Sequence, residues 1–258
     1  MASVPQQNTL PLLYRELTPL SSQEHAGWRA RRMEDLSILR GVHAVPLTVD
    51  EFVAAQRCYP IIFSTGDDPV PLALMGLTEG SNLFLGEDNM LTANAYLPAY
   101  VRRYPFMLAR LREETDELSL CFDPSADLIG AFDEGVPLFD GTDPSADIKA
   151  TLEFCEQFEI AGQRTNAFMA ELKQFDLLTE GEVTINVEGA EQPFIYRGFK
   201  IVAEEKMREL RGDQLRKFNQ SGLLPLLHAH IFSLPLIIEL FNRQQGAATA
   251  ATSAPALI

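Results

Sequence analysis

A short segment in the middle of the chain combines aromatic rings with guanidinium groups. It contains the side chains most suited to binding, namely Tyr96, Tyr100, Arg102, Arg103 and Tyr104. Guanidinium groups donate paired hydrogen bonds to carboxylates and phosphates, and tyrosines supply rigid contact area. We therefore predict that this tyrosine–arginine block binds an anionic small molecule or a partner protein.

The same block also has a purely structural interpretation. Pro98 is suited to the first turn of a short helix, arginines favour the C-terminal end of a helix, and Pro105 would end it. On this account Arg102 and Arg103 stabilise a helix end and bind nothing. Both interpretations stay open at the level of the sequence.

A second group of arginines lies near the N-terminus, in the run from Arg29 through Arg31 and Arg32. This patch could bind an anion, but arginines near a chain terminus are more typical of a solvated face. The sequence alone does not connect it with the tyrosine–arginine block.

Two histidines, His228 and His230, are separated by one residue. They would point the same way on a strand, but they lie about 200° apart on a helix, and the surrounding pattern is helical. We therefore predict hydrogen-bonded histidines of a core or interface. The cysteines, Cys58, Cys121 and Cys155, are odd in number and widely spaced, so we expect reduced thiols and no metal site.

Carboxylates cluster after the apolar run at residues 118–122, beginning with Asp123 and Asp127. Paired carboxylates act as acid and base only if the fold brings them close together and desolvates one of them. These two residues, with His228 and His230, are weaker candidates for a site, and a solvated acidic loop is the alternative. The chain lacks the motifs of serine hydrolases, phosphate loops and dinucleotide-binding turns, so we predict no cofactor.

Short apolar runs separated by Gly, Asp and Pro predict strands in the first half of the chain, with a turn at residues 66–69. From residue 143 onward, apolar side chains recur three and four residues apart, which predicts a helix beginning at 143 and further helices at 204–219 and 223–243. A hairpin is predicted between residues 182 and 202. The sequence therefore predicts an α+β fold, with a mainly antiparallel, β-rich N-terminal half and a helix-rich C-terminal half.

The predicted domain organisation has three parts. Residues 1–40 form a partly ordered N-terminal extension. Residues 41–245 form one domain, β-rich over 41–140 and helix-rich over 143–245. Residues 246–258 are small-residue low complexity and are predicted to be a disordered tail, because they cannot bury enough apolar surface to fold.

The 258 residues include 21 Lys and Arg against 36 Asp and Glu, which gives a net charge of −15. This charge repels phosphate backbones, so nucleic acid is not an expected partner. The N-terminus has no positive cluster followed by an apolar core, and the apolar segment 222–241 contains prolines, histidines and Glu239. We expect a cytoplasmic protein that is not an integral membrane protein. Export by a non-classical C-terminal signal stays open.

Five short motifs resemble a known family. They are YPIIF at 59–63, PLALMGL at 71–77, NLFL at 82–85, YLPAYVRRYPF at 96–106 and GLLPLLHAHIFSL at 222–234. The chain is similar, over residues 45–240, to the SapC family of bacterial proteins, named after a locus associated with a surface protein layer. It does not resemble the unrelated peptide-transporter permease of the same name, which needs several membrane spans.

This resemblance implies a role in the cell envelope or in nutrient uptake, because genes of such relatives lie near those of outer-membrane receptors and halogenase-like flavoenzymes. We expect a non-catalytic binding or accessory protein whose partner is a small molecule or an envelope-associated protein. One alternative is a small-molecule enzyme with an Arg, Asp and His site. A second alternative is a structural component of a surface layer.

Overall fold

The computed structural model describes residues 10–111, 117–186 and 192–253. The chain divides into two compact units, and each is discontinuous in sequence. Unit 1 comprises Met1–Glu34 and Val101–Glu159, and unit 2 comprises Asp35–Tyr100 and Ile160–Ile258. This division differs from the predicted boundary near residue 140.

The strands are short. In chain order, the described residues form β1 (Thr18–Pro19), β2 (Arg29–Ala30), β3 (Ala44–Pro46), β4 (Ile61–Phe63), β5 (Pro71–Leu74), β6 (Phe106–Arg110), β7 (Leu118–Phe122), β8 (Ile129–Gly130), β9 (Val136–Pro137), β10 (Phe139–Asp140), β11 (Asp143–Pro144), β12 (Leu178–Ile185) and β13 (Phe194–Val202).

The α-helices among the described residues are α1 (Phe52–Ala55), α2 (Ala99–Arg102), α3 (Ala146–Gln174), α4 (Glu204–Arg208), α5 (Gly212–Gln220), α6 (Leu223–Ser233) and α7 (Leu236–Ser253). Short 3-10 helices occur at Ser37–Leu39, Val49–Glu51 and Pro124–Ala126. Strands and helices thus follow the predicted α+β class, with most helical residues in the C-terminal half.

Unit 1 is built from small antiparallel sheets. One has the order β1-β7-β6, another has the order β8-β2-β9, and β10 pairs with β11. The N-terminal strands β1 and β2 therefore pair with strands about 100 residues later in the chain. For this reason the segment before residue 34 belongs to unit 1, where the sequence predicts a separate extension.

The core of unit 1 lies between these sheets and the first turns of α3. Its buried side chains are Phe106, Leu108, Phe122, Ile129, Leu138, Phe139, Ile148 and Cys155. Strand β6 alternates between buried and less buried residues, which is the period that a half-buried strand requires. In β7 burial instead increases along the strand toward Cys121 and Phe122.

Unit 2 contains one antiparallel sheet of five strands in the order β12-β13-β4-β5-β3. Strands β4 and β5 are joined by a turn in which Gly66 has a φ of 98°, a conformation open to glycine but costly for most residues. Strands β12 and β13 form the hairpin predicted from the sequence. The aromatic core of the unit includes the fully buried Phe52, Phe63 and Phe168, with the Phe52 and Phe168 rings 5.8 Å apart.

Two predicted helices are each divided in the structure. The helix predicted at 204–219 is interrupted at Arg211, whose backbone is extended. The N–H of Arg211 donates to the side chain of Gln214, and this capping contact marks the start of α5 at Gly212. The helix predicted at 223–243 is interrupted before Leu236, since Pro235 has no N–H to continue the helical ladder. Helix α7 continues to Ser253, where the sequence predicts a disordered tail from residue 246.

One described stretch, Leu223–Gly246, is long and apolar enough to cross a membrane by length and composition alone. It contains α6 and most of α7, and 33% of its most apolar part is buried. The same length and composition are typical of a helix in a protein core. That the chain is not an integral membrane protein therefore stays a prediction.

Candidate functional site

The tyrosine–arginine block is divided between the two units. Tyr96 and Tyr100 belong to unit 2. The hydroxyl of Tyr96 donates to the buried carboxylate of Glu51 at 3.1 Å, and its backbone oxygen accepts a hydrogen bond from Tyr59 at 2.7 Å. Tyr100 is 5% exposed. Both tyrosines thus support the packing of unit 2, with Tyr96 half-buried and Tyr100 buried.

The other three residues of the block belong to unit 1, and their exposure differs. Arg102 is exposed, whereas Arg103 is buried at 6% exposure and Tyr104 is buried as well. The guanidinium carbon of Arg103 lies 4.1 Å from the ring centroid of Phe158, and a guanidinium nitrogen lies 3.5 Å from Glu159. Arg103 therefore packs within unit 1 through an aromatic ring and an ion pair.

Tyr104 packs edge-on against the ring of Tyr14, with 5.2 Å between centroids. Burial raises the pKa of Tyr104 above its ordinary value of 10.0, and the negative charge of Asp123, to which it is hydrogen-bonded, raises it further. Arg15 nearby lowers this pKa in part. Tyr104 thus stays a neutral phenol at physiological pH and is unsuited to act as a base.

A cavity of about 500 Å³ in unit 1 is lined by charged side chains from three parts of the sequence, and we call it the arginine cleft. Its charged lining residues are Arg31, Arg32, Arg102, Arg103 and Asp147. The rest of the wall is mostly apolar and includes the side chains of Met33, Pro105, Phe106, Leu128, Ala150 and Phe154.

Strand β2 and the segment after it carry Arg31 and Arg32 to the cleft. The backbone N–H of Arg31 donates to the carbonyl of Leu128 at 2.8 Å, which extends the pairing of β2 with β8. The guanidinium carbon of Arg31 lies 3.6 Å from the ring centroid of Phe132. The sequence favours a solvated face for this patch, and nothing in the linear sequence indicates that it lines the same cavity as Arg102.

The cleft is positive within a chain that is acidic as a whole. Among the described residues that line it are four arginines and one carboxylate, Asp147, whereas the net charge of the chain is −15. Neither Arg31 nor Arg32 forms an ion pair with a residue that the structure describes. A cleft with this lining attracts anions, since guanidinium groups bind carboxylates and phosphates through paired N–H donors.

Asp123 is fully buried and hydrogen-bonded on both oxygens. One oxygen accepts from the N–H of Arg15 at 2.8 Å, and the other accepts from the N–H and hydroxyl of Ser125 at 2.9 and 2.6 Å. Asp127 is exposed and closes the short 3-10 helix with a φ of 54°. Both carboxylates therefore shape a loop, and this arrangement does not favour the pair of acid and base considered from the sequence.

The two histidines lie on α6, and their rings have separate backbone partners. His228 contacts the carbonyl of Leu224 at 2.8 Å. His230 is fully buried, and it donates from Nδ1 to the carbonyl of Ile61 at 2.7 Å while its Nε2 accepts from the N–H of Val202 at 3.1 Å. Burial lowers the pKa of His230 from 6.5 to about 4. His230 is thus a neutral, structural side chain, as the helical spacing predicted.

Unit 2 has a larger cleft, of about 1070 Å³, between the turn after β4, the second half of α3 and β12. Its lysines already contact the protein backbone. Lys200 donates to the carbonyl of Gly66 at 2.7 Å, and Lys173 donates to that of Asp67 at 3.2 Å. The other charged residues that line this cleft are carboxylates, so its lining is not predominantly positive like that of the arginine cleft.

A family model described as SapC matches residues 20–240, which include every arginine of the cleft and the whole tyrosine–arginine block. No curated protein and no solved structure matches the chain. The family resemblance inferred from the five short motifs is therefore confirmed.

Proposed function

Because the chain belongs to the SapC family, we propose that it is a non-catalytic binding or accessory protein of a bacterial cell-envelope or nutrient-uptake system, with the arginine cleft as its binding site. The observation that carries this proposal is the convergence of Arg31, Arg32 and Arg102 on one cavity of an otherwise acidic chain. A positively charged cavity attracts anions even though the rest of the protein surface is negative and repels them.

The chemistry of the cleft favours binding over catalysis. In the part of the chain that the structure describes, the residues that line the cleft include one carboxylate, Asp147, and neither a histidine nor a cysteine. Acid and base catalysis needs a group whose pKa is tuned toward the working pH. Asp123 and His230, the buried titratable candidates, are each held by the backbone of their own unit.

We further propose that the ligand is a small anionic molecule and that the protein acts in the cytoplasm without spanning the membrane. The volume of about 500 Å³ supports a small ligand, since cavities of this size bind compact organic molecules. Fractionation of cells without detergent tests the location, and recovery mainly in the membrane pellet would contradict it.

The test of the binding site is a ligand screen by thermal denaturation of the full-length protein. Anionic metabolites that bind should raise the melting temperature of the wild type, because a ligand that binds the native state stabilises it. Arg32→Gln should abolish that rise while leaving the melting temperature of the free protein within about 1 °C, since exposed charges contribute little to folding.

Arg216→Gln is the matched control, because it removes the same charge from an exposed position in unit 2, outside the cleft. It should keep the full response to the anions. If Arg32→Gln and Arg216→Gln respond alike, or if no anion stabilises the wild type, the cleft is not the binding site.

A further inference from the structure

Helices α6 and α7 expose an apolar stripe on the side that faces away from the core of unit 2. Their inward positions, among them Leu227, His230 and Ile237, are buried. The outward positions recur three and four residues apart, and we call them the α6–α7 stripe: Leu224, Pro225, His228, Ile231, Phe232, Pro235, Ile238 and Glu239. Phe232 is 68% exposed and Ile238 is 49% exposed. The outward face of a surface helix is normally polar, so this stripe departs from the usual pattern.

The stripe has polar residues beyond both of its ends. Ser221 precedes it, and Asn242 and Arg243 follow it, all of them exposed. From residue 224 to residue 238 the stripe follows about 21 Å of helix, at roughly 1.5 Å per residue. A contiguous apolar patch with a polar rim is typical of a surface that another molecule covers.

Two polar side chains interrupt the stripe, and their positions favour one kind of partner. His228 and Glu239 lie eleven residues apart, and Phe232 and Pro235 lie three residues apart about the same midpoint. In two antiparallel helices related by a twofold axis at that midpoint, each residue lies opposite the one at the same distance beyond the axis. His228 of one copy then faces Glu239 of the second copy. The stripe is therefore complementary in charge to itself.

Both polar side chains are suited to this pairing. The ring of His228 contacts the carbonyl of Leu224 through Nδ1, so a carboxylate would bind at Nε2 of the protonated ring. Glu239 is exposed and forms no ion pair with any residue in the described part of the chain. A carboxylate on an apolar contact surface needs a polar partner, because burying it without one costs free energy.

We propose that the α6–α7 stripe binds the same stripe of a second copy of this chain, as an antiparallel twofold homodimer. Twofold dimers with such self-complementary interfaces are the commonest homo-oligomers. The pairing removes Phe232 of both copies from water and gives Glu239 a partner. A lipid surface would leave Glu239 unpaired against hydrocarbon, and the net charge of −15 repels anionic lipids. This inference is independent of the arginine cleft, whose lining belongs to unit 1.

Sedimentation velocity of the full-length protein at pH 7 tests the proposal. We expect a monomer–dimer equilibrium between about 1 and 100 µM, since one helix pair gives an interface of modest area. Phe232→Gln should weaken dimerisation at least about tenfold, because each dimer loses two buried aromatic rings. Val53→Gln is the matched control, since Val53 is a 60% exposed apolar residue of unit 2 outside the stripe. It should leave the dimer unchanged.

An exchange of charges tests the antiparallel register separately. His228→Glu should weaken the dimer about tenfold, because it places two carboxylates opposite each other. Adding Glu239→Lys to this variant should restore dimerisation, since the twofold axis then pairs opposite charges again. A purely structural role for His228 within its own helix would not produce this rescue. Circular dichroism checks the folding of each variant, and Ile238→Gln repeats the apolar test if Phe232→Gln does not fold.

Each outcome supports or contradicts the proposal. A wild type that stays monomeric up to about 100 µM contradicts it, and so does a dimer that Phe232→Gln and Val53→Gln weaken equally. If Phe232→Gln weakens the dimer but the exchange of charges gives no rescue, the antiparallel twofold arrangement is wrong. Sedimentation with phosphatidylcholine vesicles covers the lipid alternative. Vesicle binding that Phe232→Gln abolishes, by a protein that is monomeric in solution, would replace the second copy with a membrane surface.

Discussion

His230 joins two strands of the five-stranded sheet whose backbones pair at only one other point. Among the described residues, β4 and β13 pair through Phe63 and Lys200 alone. Continuing the antiparallel register brings Ile61 opposite Val202. The imidazole of His230 lies between them, with one ring nitrogen bonded to the carbonyl of Ile61 and the other to the N–H of Val202. The side chain thus takes the place of a rung of the ladder.

Removing this ring should destabilise the protein strongly. His230→Ala leaves a buried carbonyl and a buried N–H without partners, at about 1–3 kcal/mol each, and adds a cavity. We expect the free energy of unfolding at pH 7.5 to fall by about 3–5 kcal/mol in urea denaturation followed by circular dichroism. His228→Ala, on the same helix but half-buried, should cost less than about 1 kcal/mol.

Burial of the His230 imidazole also predicts how the stability of the protein changes with pH. In the folded protein the pKa of His230 is about 4, against 6.5 for an unperturbed histidine. Between these values the unfolded chain binds a proton that the folded chain excludes, so stability falls as the pH is lowered through this window. Above pH 6.5 both states are neutral and the contribution is complete. The difference in pKa corresponds to about 3 kcal/mol.

His230→Gln tests this window, because glutamine can still accept from an N–H but does not titrate. The wild type should lose about 3 kcal/mol more than His230→Gln between pH 6.5 and 4. His228→Gln should follow the wild type. If the wild type and His230→Gln show parallel pH profiles, His230 is not held neutral by burial and the reasoning is refuted.

Three other predictions concern unit 1. Arg103→Ala should lower the free energy of unfolding by roughly 2–3 kcal/mol, because the guanidinium is buried and paired. Arg102→Ala should change it by less than about 0.5 kcal/mol. Urea denaturation of both variants checks this, and equal losses would contradict it. Asp123→Asn should lower the free energy of unfolding by about 2–3 kcal/mol, because an amide supplies donors where the loop requires acceptors. Asp127→Asn should leave stability unchanged, since asparagine tolerates a positive φ. Thermal denaturation of the two variants checks this difference. The phenol of Tyr104 should ionise at a pH above its ordinary pKa of 10.0. Subtracting the alkaline ultraviolet titration of Tyr104→Phe from that of the wild type isolates this transition. A difference curve centred at or below pH 10 would disprove the burial argument.

The sequence by itself determined the features that depend on neighbouring residues. The apolar run at 118–122 coincides with β7, and the turn containing Gly66 and Pro69 joins β4 to β5 as predicted. The hairpin of β12 and β13 is also predicted from local alternation of apolar and polar residues. Turn chemistry and alternation act over a few residues, so they are visible in a linear sequence. The spacing of His228 and His230 likewise predicted that their rings would point in different directions on a helix, and each ring has its own backbone partner.

Only the tertiary structure decided which arginines share a cavity and which are buried. Arg31 and Arg32 lie about 70 residues before Arg102, and only the pairing of β2 within unit 1 brings them to the same cleft. Arg102 and Arg103 are adjacent in sequence, yet one is exposed and the other is packed on an aromatic ring. Burial and charge balance depend on long-range packing, which no local pattern encodes.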